Sequence, residues 1–318
     1  MLGSALIALL IVAAPDPRGA LGDAAEPRSA ACRPAVEVRG ADVPTDVVRD
    51  FRAAADHALD AIRAQTGDDD CRPITITLVP SMGRADELDP PWHLPSWAAG
   101  AARPAERRIV VGITSNGRVQ DRLVTLTHEL AHVSARSAAG GAALPRWLDE
   151  GIARVVAGEH GIADMQELAR ARVADRFLPL TALEDGFPAG ARDAALAYAQ
   201  AGRAVSLAVE RDPGAISLIL HHFRSGLSAD DALRQATGRA TWQVDLDVRR
   251  SVGLWAAIAV VGVEGDLAMA SCGLAVAYFG VRARRRQRER LSAMDDAMPA
   301  RTVVDAVVAR WTVRGAPW

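Results

Sequence analysis

The chain has 318 residues, of which 50% are hydrophobic and 24% are charged, and this balance is typical of a globular protein with a sizeable core. The formal net charge of −2 shows no basic excess and gives no reason to expect a nucleic-acid partner. The sequence contains no lysine, which excludes a catalytic lysine and Schiff-base chemistry.

The N-terminal apolar run, residues 2–14, is too short to cross a bilayer and is typical of a signal-peptide core. We therefore predict a signal peptide over 1–24 and a linker over 25–44, with an uncleaved anchor as the alternative for the apolar run. Export would bring Cys32 and Cys71 into an oxidising compartment, where they are predicted to form a disulfide. Two free, buried thiols are the other interpretation.

The predicted domain over 45–250 begins with one helix and two strands. Apolar residues at helical spacing predict a helix from Thr45 to about Gly67. Alternating residues predict a strand over 74–79, and a second strand is predicted over 108–113, after a loop over 89–102. The later pattern is helical, with helices predicted near residues 121–137, from 145 onward, and over 191–211, 215–224 and 228–236. Because strands come first and helices afterwards, we predict an α+β fold with a small N-terminal sheet and a mainly helical second half.

The helix predicted near 121–137 carries His128-Glu129-Leu130-Ala131-His132, an HExxH motif. Residues four apart on a helix share a face, so both imidazoles can reach one zinc ion. Glu129 projects beside them without ligating the metal, so it can act as general base for a water molecule that zinc acidifies. Histidines placed for packing alone are the alternative, but they would not require a glutamate between them. The motif therefore predicts a zinc-dependent hydrolytic site.

A catalytic zinc ion needs a third protein ligand. Glu150 is the best candidate, because it follows His132 by 18 positions and has apolar neighbours on a predicted helix. A carboxylate buried among such neighbours is costly unless it is paired or bound to a metal. Asp149 is the rival ligand, but on a helix that begins near Pro145 it points in a different direction.

These motifs resemble those of the gluzincin metallopeptidases and, more narrowly, those of the membrane-anchored peptidase MA-like family. The resemblance rests on His128-Glu129-x-x-His132 followed by Trp147-Leu148-x-Glu150-Gly151-x-Ala153, and it extends from about Ile74 to Trp242. It implies a zincin-like fold in which Glu150 is the third zinc ligand and Glu129 is the general base. It also implies that the strand before the HExxH helix binds an extended peptide by edge pairing.

Two further positions bear on this resemblance. Tyr198 lies where the family has a tyrosine near the metal, and we predict that it donates a hydrogen bond to the developing oxyanion. A core tyrosine with a satisfied hydroxyl is the alternative. Arg154 departs from the pattern, since an acidic residue that orients a ligand histidine is expected four positions after Glu150. The side chains that orient the ligands are therefore undefined at this point.

A second membrane signal follows the domain. Two apolar runs between residues 253 and 281 are interrupted by Glu264 and Asp266, and a cluster of arginines comes directly afterwards. Because such a cluster marks the cytoplasmic side of a span, we predict a transmembrane segment over 253–281 and a basic cytoplasmic tail over 282–318. A buried globular helix followed by a basic surface helix is the alternative.

The sequence thus predicts a zinc-dependent peptidase that acts on peptides or proteins. It is predicted to be held in the cell membrane by one C-terminal helix, with the catalytic domain outside the cytoplasm. Two other functions stay open. One is a membrane-tethered binding or assembly protein without turnover, which the departure at Arg154 favours, and the other is a zinc hydrolase of non-peptide amides or esters.

Overall fold

The computed structural model describes residues 33–88, 90–94, 98–113 and 119–253, together with Tyr278 and Arg282. Within that part of the chain, a four-stranded sheet and two helices form the first half, and six further helices form the second. This order, sheet first and helices afterwards, confirms the α+β part of the fold prediction.

The sheet has the strand order β1-β2-β4-β3. The strands are β1 (Val36–Gly40), β2 (Ile74–Val79), β3 (Gly100–Arg103) and β4 (Arg108–Gly112). β1, β2 and β4 run parallel, with Ile76 opposite both Val38 and Ile109, whereas β3 runs antiparallel to β4. β3 is therefore an edge strand, and β4 is an interior one.

Two of these strands lie where the sequence analysis predicted none. β1 falls within the predicted linker over 25–44, and β3 lies at the end of the predicted loop over 89–102. β1 is only five residues long, and its buried Val36 and Val38 are too few to produce a clear alternating pattern. β3 has the sequence Gly-Ala-Ala-Arg, which lacks the branched residues typical of strands, so its pairing with β4 determines its conformation.

Helices α1 (Thr45–Thr66) and α2 (Val119–Ala138) share one hydrophobic core with the sheet. α1 contributes a buried stripe at helical spacing, formed by Phe51, Ala55, Leu59 and Ile62. α2 contributes the buried side chains Leu126, Leu130 and Val133. Because these residues occupy one face of α2, the polar residues of its HExxH motif are held at a fixed angle to the sheet.

The second half is helical. Its helices are α3 (Arg146–Ala157), α4 (Ile162–Ala174), α5 (Ala191–Arg211), α6 (Ala215–Arg224), α7 (Ala229–Thr237) and α8 (Thr241–Ser251). α3 packs against both α2 and α5. Gly151 allows α3 and α5 to approach closely, because a Cβ atom there would lie 2.5 Å from the backbone oxygen of Ala201 and 2.7 Å from Cγ2 of Val205. Together with the buried Trp147 and Leu148, this contact fixes the position of α3.

The predicted ends of the chain lie largely beyond the described residues. Cys71 is disulfide-bonded, whereas Cys32, its predicted partner, lies outside the described part, as does the predicted signal peptide over 1–24. Among the described residues, every helix is too short or too polar to cross a bilayer. The predicted transmembrane segment over 253–281 and the tail over 282–318 lie almost entirely outside this part and stay predictions.

Candidate metal centre

Two histidines of the HExxH motif face each other on α2. His128 and His132 are one helical turn apart, and their Nε2 atoms are separated by 3.1 Å. His132 is buried and His128 is half-buried. Both rings therefore present a nitrogen to one point from the same helix face, as the spacing predicts.

Helix α3 brings Glu150 to the same point. Its Oε2 lies 3.4 Å from Nε2 of His128 and 3.8 Å from Nε2 of His132, and its side chain is only 3% exposed. α3 begins directly after Pro145, and the buried Trp147 anchors its first turn, so Glu150 points inward. The convergence of two imidazoles and one carboxylate, which the sequence predicts, is present in the structure.

The geometry of these three groups fits a divalent cation. Ligands bound to a tetrahedral zinc ion at 2.0–2.1 Å lie about 3.3–3.4 Å from one another. The three separations here are 3.1, 3.4 and 3.8 Å. Oε2 of Glu150 is buried without an aligned hydrogen-bond partner among the described residues, which is costly unless a cation occupies the point that it faces. Two imidazoles and a carboxylate are also a known ligand set of catalytic zinc.

Carboxylates also face the outer nitrogens of both imidazoles. Oδ1 of Asp149 lies 3.0 Å from Nδ1 of His132, and Oε2 of Glu159 lies 3.2 Å from Nδ1 of His128. Both contacts are ion pairs rather than aligned hydrogen bonds. Asp149 thus lies behind a ring, so its position favours Glu150 as the third ligand. The sequence analysis missed Glu159, because it follows the end of α3 and no spacing rule connects it with His128.

The carboxylates change the protonation of the histidines. Burial lowers the pKa of His128, but Glu150 and Glu159 outweigh this effect and raise the pKa to about 10. Burial also lowers the pKa of His132, and there Asp149 is the main group that outweighs it, so this pKa too is raised. Burial raises the pKa of Glu150, but the histidines and Arg146 lower it to about 2. A metal ion that binds must therefore displace protons from the imidazoles.

Glu129 lies beside the histidines and is buried. Burial is the largest influence on the pKa of Glu129 and raises it above the usual range, which makes the carboxylate a better proton acceptor. Gly100 of β3 packs directly against it. A Cβ atom on Gly100 would lie 3.2 Å from Cγ of Glu129 and 2.8 Å from Cγ2 of Thr125. The absence of a side chain at Gly100 therefore lets β3 approach the motif helix.

A cleft of about 680 Å³ opens beside these groups, and its lining includes residues 100–102 of β3. The strand that borders the cleft is thus β3, and the expectation that the strand before the HExxH helix offers a free edge is wrong. That strand, β4, is paired with β2 on one side and with β3 on the other. Within the described residues, the sheet ends at β3 on this side, so the edge available for pairing comes one strand earlier in the chain.

Tyr198 of α5 lines the same cleft. Its hydroxyl and the guanidinium of Arg146 are close enough to influence each other's pKa, and its ring packs edge-on against Phe187 with the ring centres 4.8 Å apart. Burial and then the charge of Glu150 raise the pKa of Tyr198, so the hydroxyl keeps its proton at neutral pH. The structure therefore brings Tyr198 to the cleft, and its role toward an oxyanion stays a prediction.

An HExxH helix, a glutamate from the next helix and an edge strand beside them define a gluzincin-like architecture. Residues 54–252 match the family model described as the Peptidase MA superfamily, and this match covers more than half of the chain. The chain belongs to this family, which confirms the resemblance that its motifs indicate. A comparison with curated proteins gives no match.

Proposed function

We propose that this protein is a zinc-dependent peptidase that hydrolyses peptide bonds in peptide or protein substrates. The observation that carries the proposal is the meeting of His128, His132 and Glu150 at ligand-to-ligand separations of 3.1–3.8 Å, beside the buried Glu129. Membership of a peptidase superfamily supports it. His128, His132 and Glu150 would hold zinc, which when bound supplies Lewis acidity toward a carbonyl oxygen and a water molecule.

The remaining side chains of the cleft carry the proton transfer and charge stabilisation. Glu129 takes a proton from the attacking water and delivers it to the leaving nitrogen, for which its raised pKa is suited. Tyr198 donates a hydrogen bond to the carbonyl oxygen of the scissile bond as negative charge develops there. Arg146 holds Glu150 from the opposite side, with its Nη2 2.5 Å from Oε1.

The edge strand β3 favours a peptide as the substrate. Its residues 100–102 line the cleft, and β4 is its pairing partner in the sheet. An extended peptide laid along the other edge would pair with the backbone of β3 while crossing in front of Glu129. A small non-peptide amide or ester, which the same catalytic groups would also accept, makes no use of such an edge.

The test of this function uses the purified full chain. We expect about one zinc ion per chain and cleavage of a library of unstructured peptides. Glu129→Gln should reduce cleavage roughly 100-fold or more while the zinc content is unchanged, because Glu129 is not a ligand. Glu87→Gln is the matched control, since Glu87 pairs with Arg84 at the surface. Cleavage retained in Glu129→Gln would remove Glu129 from the mechanism, and a zinc-loaded wild type without cleavage would favour the binding or assembly function.

We further propose that the catalytic domain lies outside the cytoplasm and is anchored by one C-terminal span. The support is the apolar run at 2–14, the arginine-flanked segment over 253–281 and the disulfide at Cys71, since disulfides persist in oxidising compartments. Protease added to intact cells should digest the domain over 45–250 and leave the tail intact. Protection of the domain until the cells are permeabilised would contradict this location.

A further inference from the structure

Arg154 stands where the gluzincin pattern has an acidic residue, four positions after Glu150. Its side chain is 16% exposed, and its Nη2 donates to both oxygens of Asp164, at 2.9 and 2.7 Å. The same Nη2 donates to the backbone oxygen of Glu159 at 2.7 Å, and Nη1 lies 3.5 Å from Oε2 of Glu159. Arg154 is therefore fixed between two acidic residues and is not simply a cation facing the metal centre.

The chain after α3 turns back so that Glu159 reaches that centre. Gly158 ends α3 with a φ of 71°, a left-handed conformation that glycine adopts without a Cβ clash. The N–H of Glu159 then donates to the backbone oxygen of Arg154 at 2.8 Å. Arg154 thus binds both backbone groups of Glu159, because its own backbone C=O accepts from the N–H of Glu159 and its guanidinium donates to the C=O of Glu159. From this anchored backbone, Oε2 of Glu159 lies 3.2 Å from Nδ1 of His128.

The charges of Arg154, Asp164 and Glu159 are arranged so that one carboxylate, that of Glu159, faces His128. The contact of Nη2 with both oxygens of Asp164 pairs the guanidinium of Arg154 with a negative charge. Glu159 is then the acidic group that the ring of His128 meets on the side away from the other ligands. A carboxylate at this position fixes the orientation of a ligand imidazole and increases its basicity.

We infer that Glu159 is the positioning residue for His128, and that Arg154 holds Glu159 in this position. Glu159 thus takes the role of the acidic residue that the gluzincin pattern expects at position 154. The inference rests on the proposed metal site and adds to it the residues that orient one ligand. It also gives the departure at Arg154 a structural role. The orienting carboxylate comes from position 159, and the arginine anchors its backbone.

The test is zinc affinity, measured on the purified full chain by competition with a chromophoric chelator. Glu159→Gln keeps the size of the side chain and removes its charge, and we expect zinc affinity to fall roughly 10- to 100-fold. The absorption spectrum of the Co²⁺-loaded variant should also shift, because the orientation of the His128 ring changes. Glu167→Gln is the matched control, since Glu167 pairs with Arg170 on α4 and should leave both readouts unchanged.

A double-mutant cycle tests the role of Arg154. Arg154→Gln alone should also weaken zinc binding. In the Glu159→Gln background it should add little, because both changes remove the same contact between the Glu159 carboxylate and His128. Additive losses would overturn the role of Arg154, and wild-type zinc affinity in Glu159→Gln would overturn the inference as a whole. The proposed function fails separately, if the zinc-loaded wild type cleaves no peptide. A wild type that binds no zinc would contradict both.

Discussion

Nη2 of Arg146 lies 2.5 Å from Oε1 of Glu150, so one oxygen of this carboxylate is held by a cation while the other faces the two histidines. Arg146 precedes Glu150 by one helical turn on α3, so the same helix supplies the ligand and the group that orients it. The guanidinium and the hydroxyl of Tyr198 line the same cleft, and each influences the pKa of the other. Arg146 therefore connects the proposed third ligand with the proposed oxyanion donor.

Arg146→Met should weaken zinc binding about tenfold, because Glu150 loses the partner that fixes its orientation. The pKa of Glu150 should rise as well, since Arg146 is one of the groups that lower it. Chelator competition measures the affinity. Arg234→Met is the matched control, because Arg234 makes an exposed ion pair with Asp230 at the same spacing on α7. Equal zinc affinity in the Arg146 and Arg234 variants would show that Arg146 does not orient the ligand.

Replacing the two neighbouring carboxylates of α3 separates their roles. Glu150→Gln should abolish measurable zinc binding, because it removes one of the three proposed protein ligands. Asp149→Asn should retain zinc with an affinity lowered roughly 10- to 100-fold, because Asp149 contacts only the outer nitrogen of His132. Isothermal titration with Zn²⁺ measures both. The reverse order of effects would make Asp149 the ligand and would contradict the assignment made from position.

The raised pKa of His128 predicts opposite pH dependences for metal binding and for the stability of the metal-free protein. The pKa is about 10 in the folded chain against an ordinary value of 6.5. The stabilisation from the protonated ring is therefore complete below about pH 6.5 and is lost as the pH rises through about 10. With chelator present, the Tm should fall from pH 7 to pH 10. Zinc affinity should rise over the same interval, because fewer protons have to be displaced.

His128→Gln provides the control for this prediction, since it should reduce the decline in Tm between pH 7 and pH 10. A smaller decline should remain, because the pKa of His132 is also raised. The measurement is differential scanning calorimetry of both proteins in chelator. A decline of the same size in the variant would assign the pH dependence to other groups. Zinc affinity of the wild type that stays constant over this interval would contradict proton displacement.

The elements that carry strong local patterns could be predicted from the sequence. The strand predicted over 74–79 is β2, and the helix predicted from Thr45 to about Gly67 is α1, whose end is fixed by a glycine with positive φ. The HExxH helix and Glu150 were identifiable because ligand spacing on a helix is a local property. The sequence alone therefore predicts the three groups that converge in the structure, which are His128, His132 and Glu150.

The parts that could not be predicted depend on distant contacts. β3 consists of small residues and an arginine, and it is a strand because β4 pairs with it. α4 has buried residues at 168, 169 and 171 that do not form a clean stripe, so the sequence pattern does not define its bounds. Glu159 contacts His128 although the two residues are 31 positions apart in the sequence. The contact depends on the turn at Gly158 and on Arg154, which in the sequence is only a departure from the gluzincin pattern. None of these contacts has a signature within a short window.

Gly100→Ala should reduce peptide cleavage more than zinc binding. A methyl group at Gly100 would lie 2.8 Å from Cγ2 of Thr125 and 3.2 Å from Cγ of Glu129, so either β3 or the proposed general base has to move. Overpacking of this kind costs about 1–3 kcal/mol, which corresponds to a loss of roughly 5- to 150-fold in kcat/KM if it acts on the transition state. Zinc affinity should be nearly unchanged, because the three atoms nearest to the added methyl group belong to Thr125, Glu129 and Val110 and not to a proposed ligand.

Gly83→Ala serves as the control, since the nearest atom to its added methyl group is 4.0 Å away. Peptide cleavage and zinc content measured on the same samples distinguish the possible outcomes. A loss of zinc in Gly100→Ala would mean that β3 supports the ligands themselves. A substrate held on β3 has to cross the cleft at the distance from Glu129 that Gly100 sets. Full cleavage by Gly100→Ala would mean that this close approach of β3 to Glu129 is not needed. The proposed pairing of a peptide with the edge of β3 would then lose its main structural support.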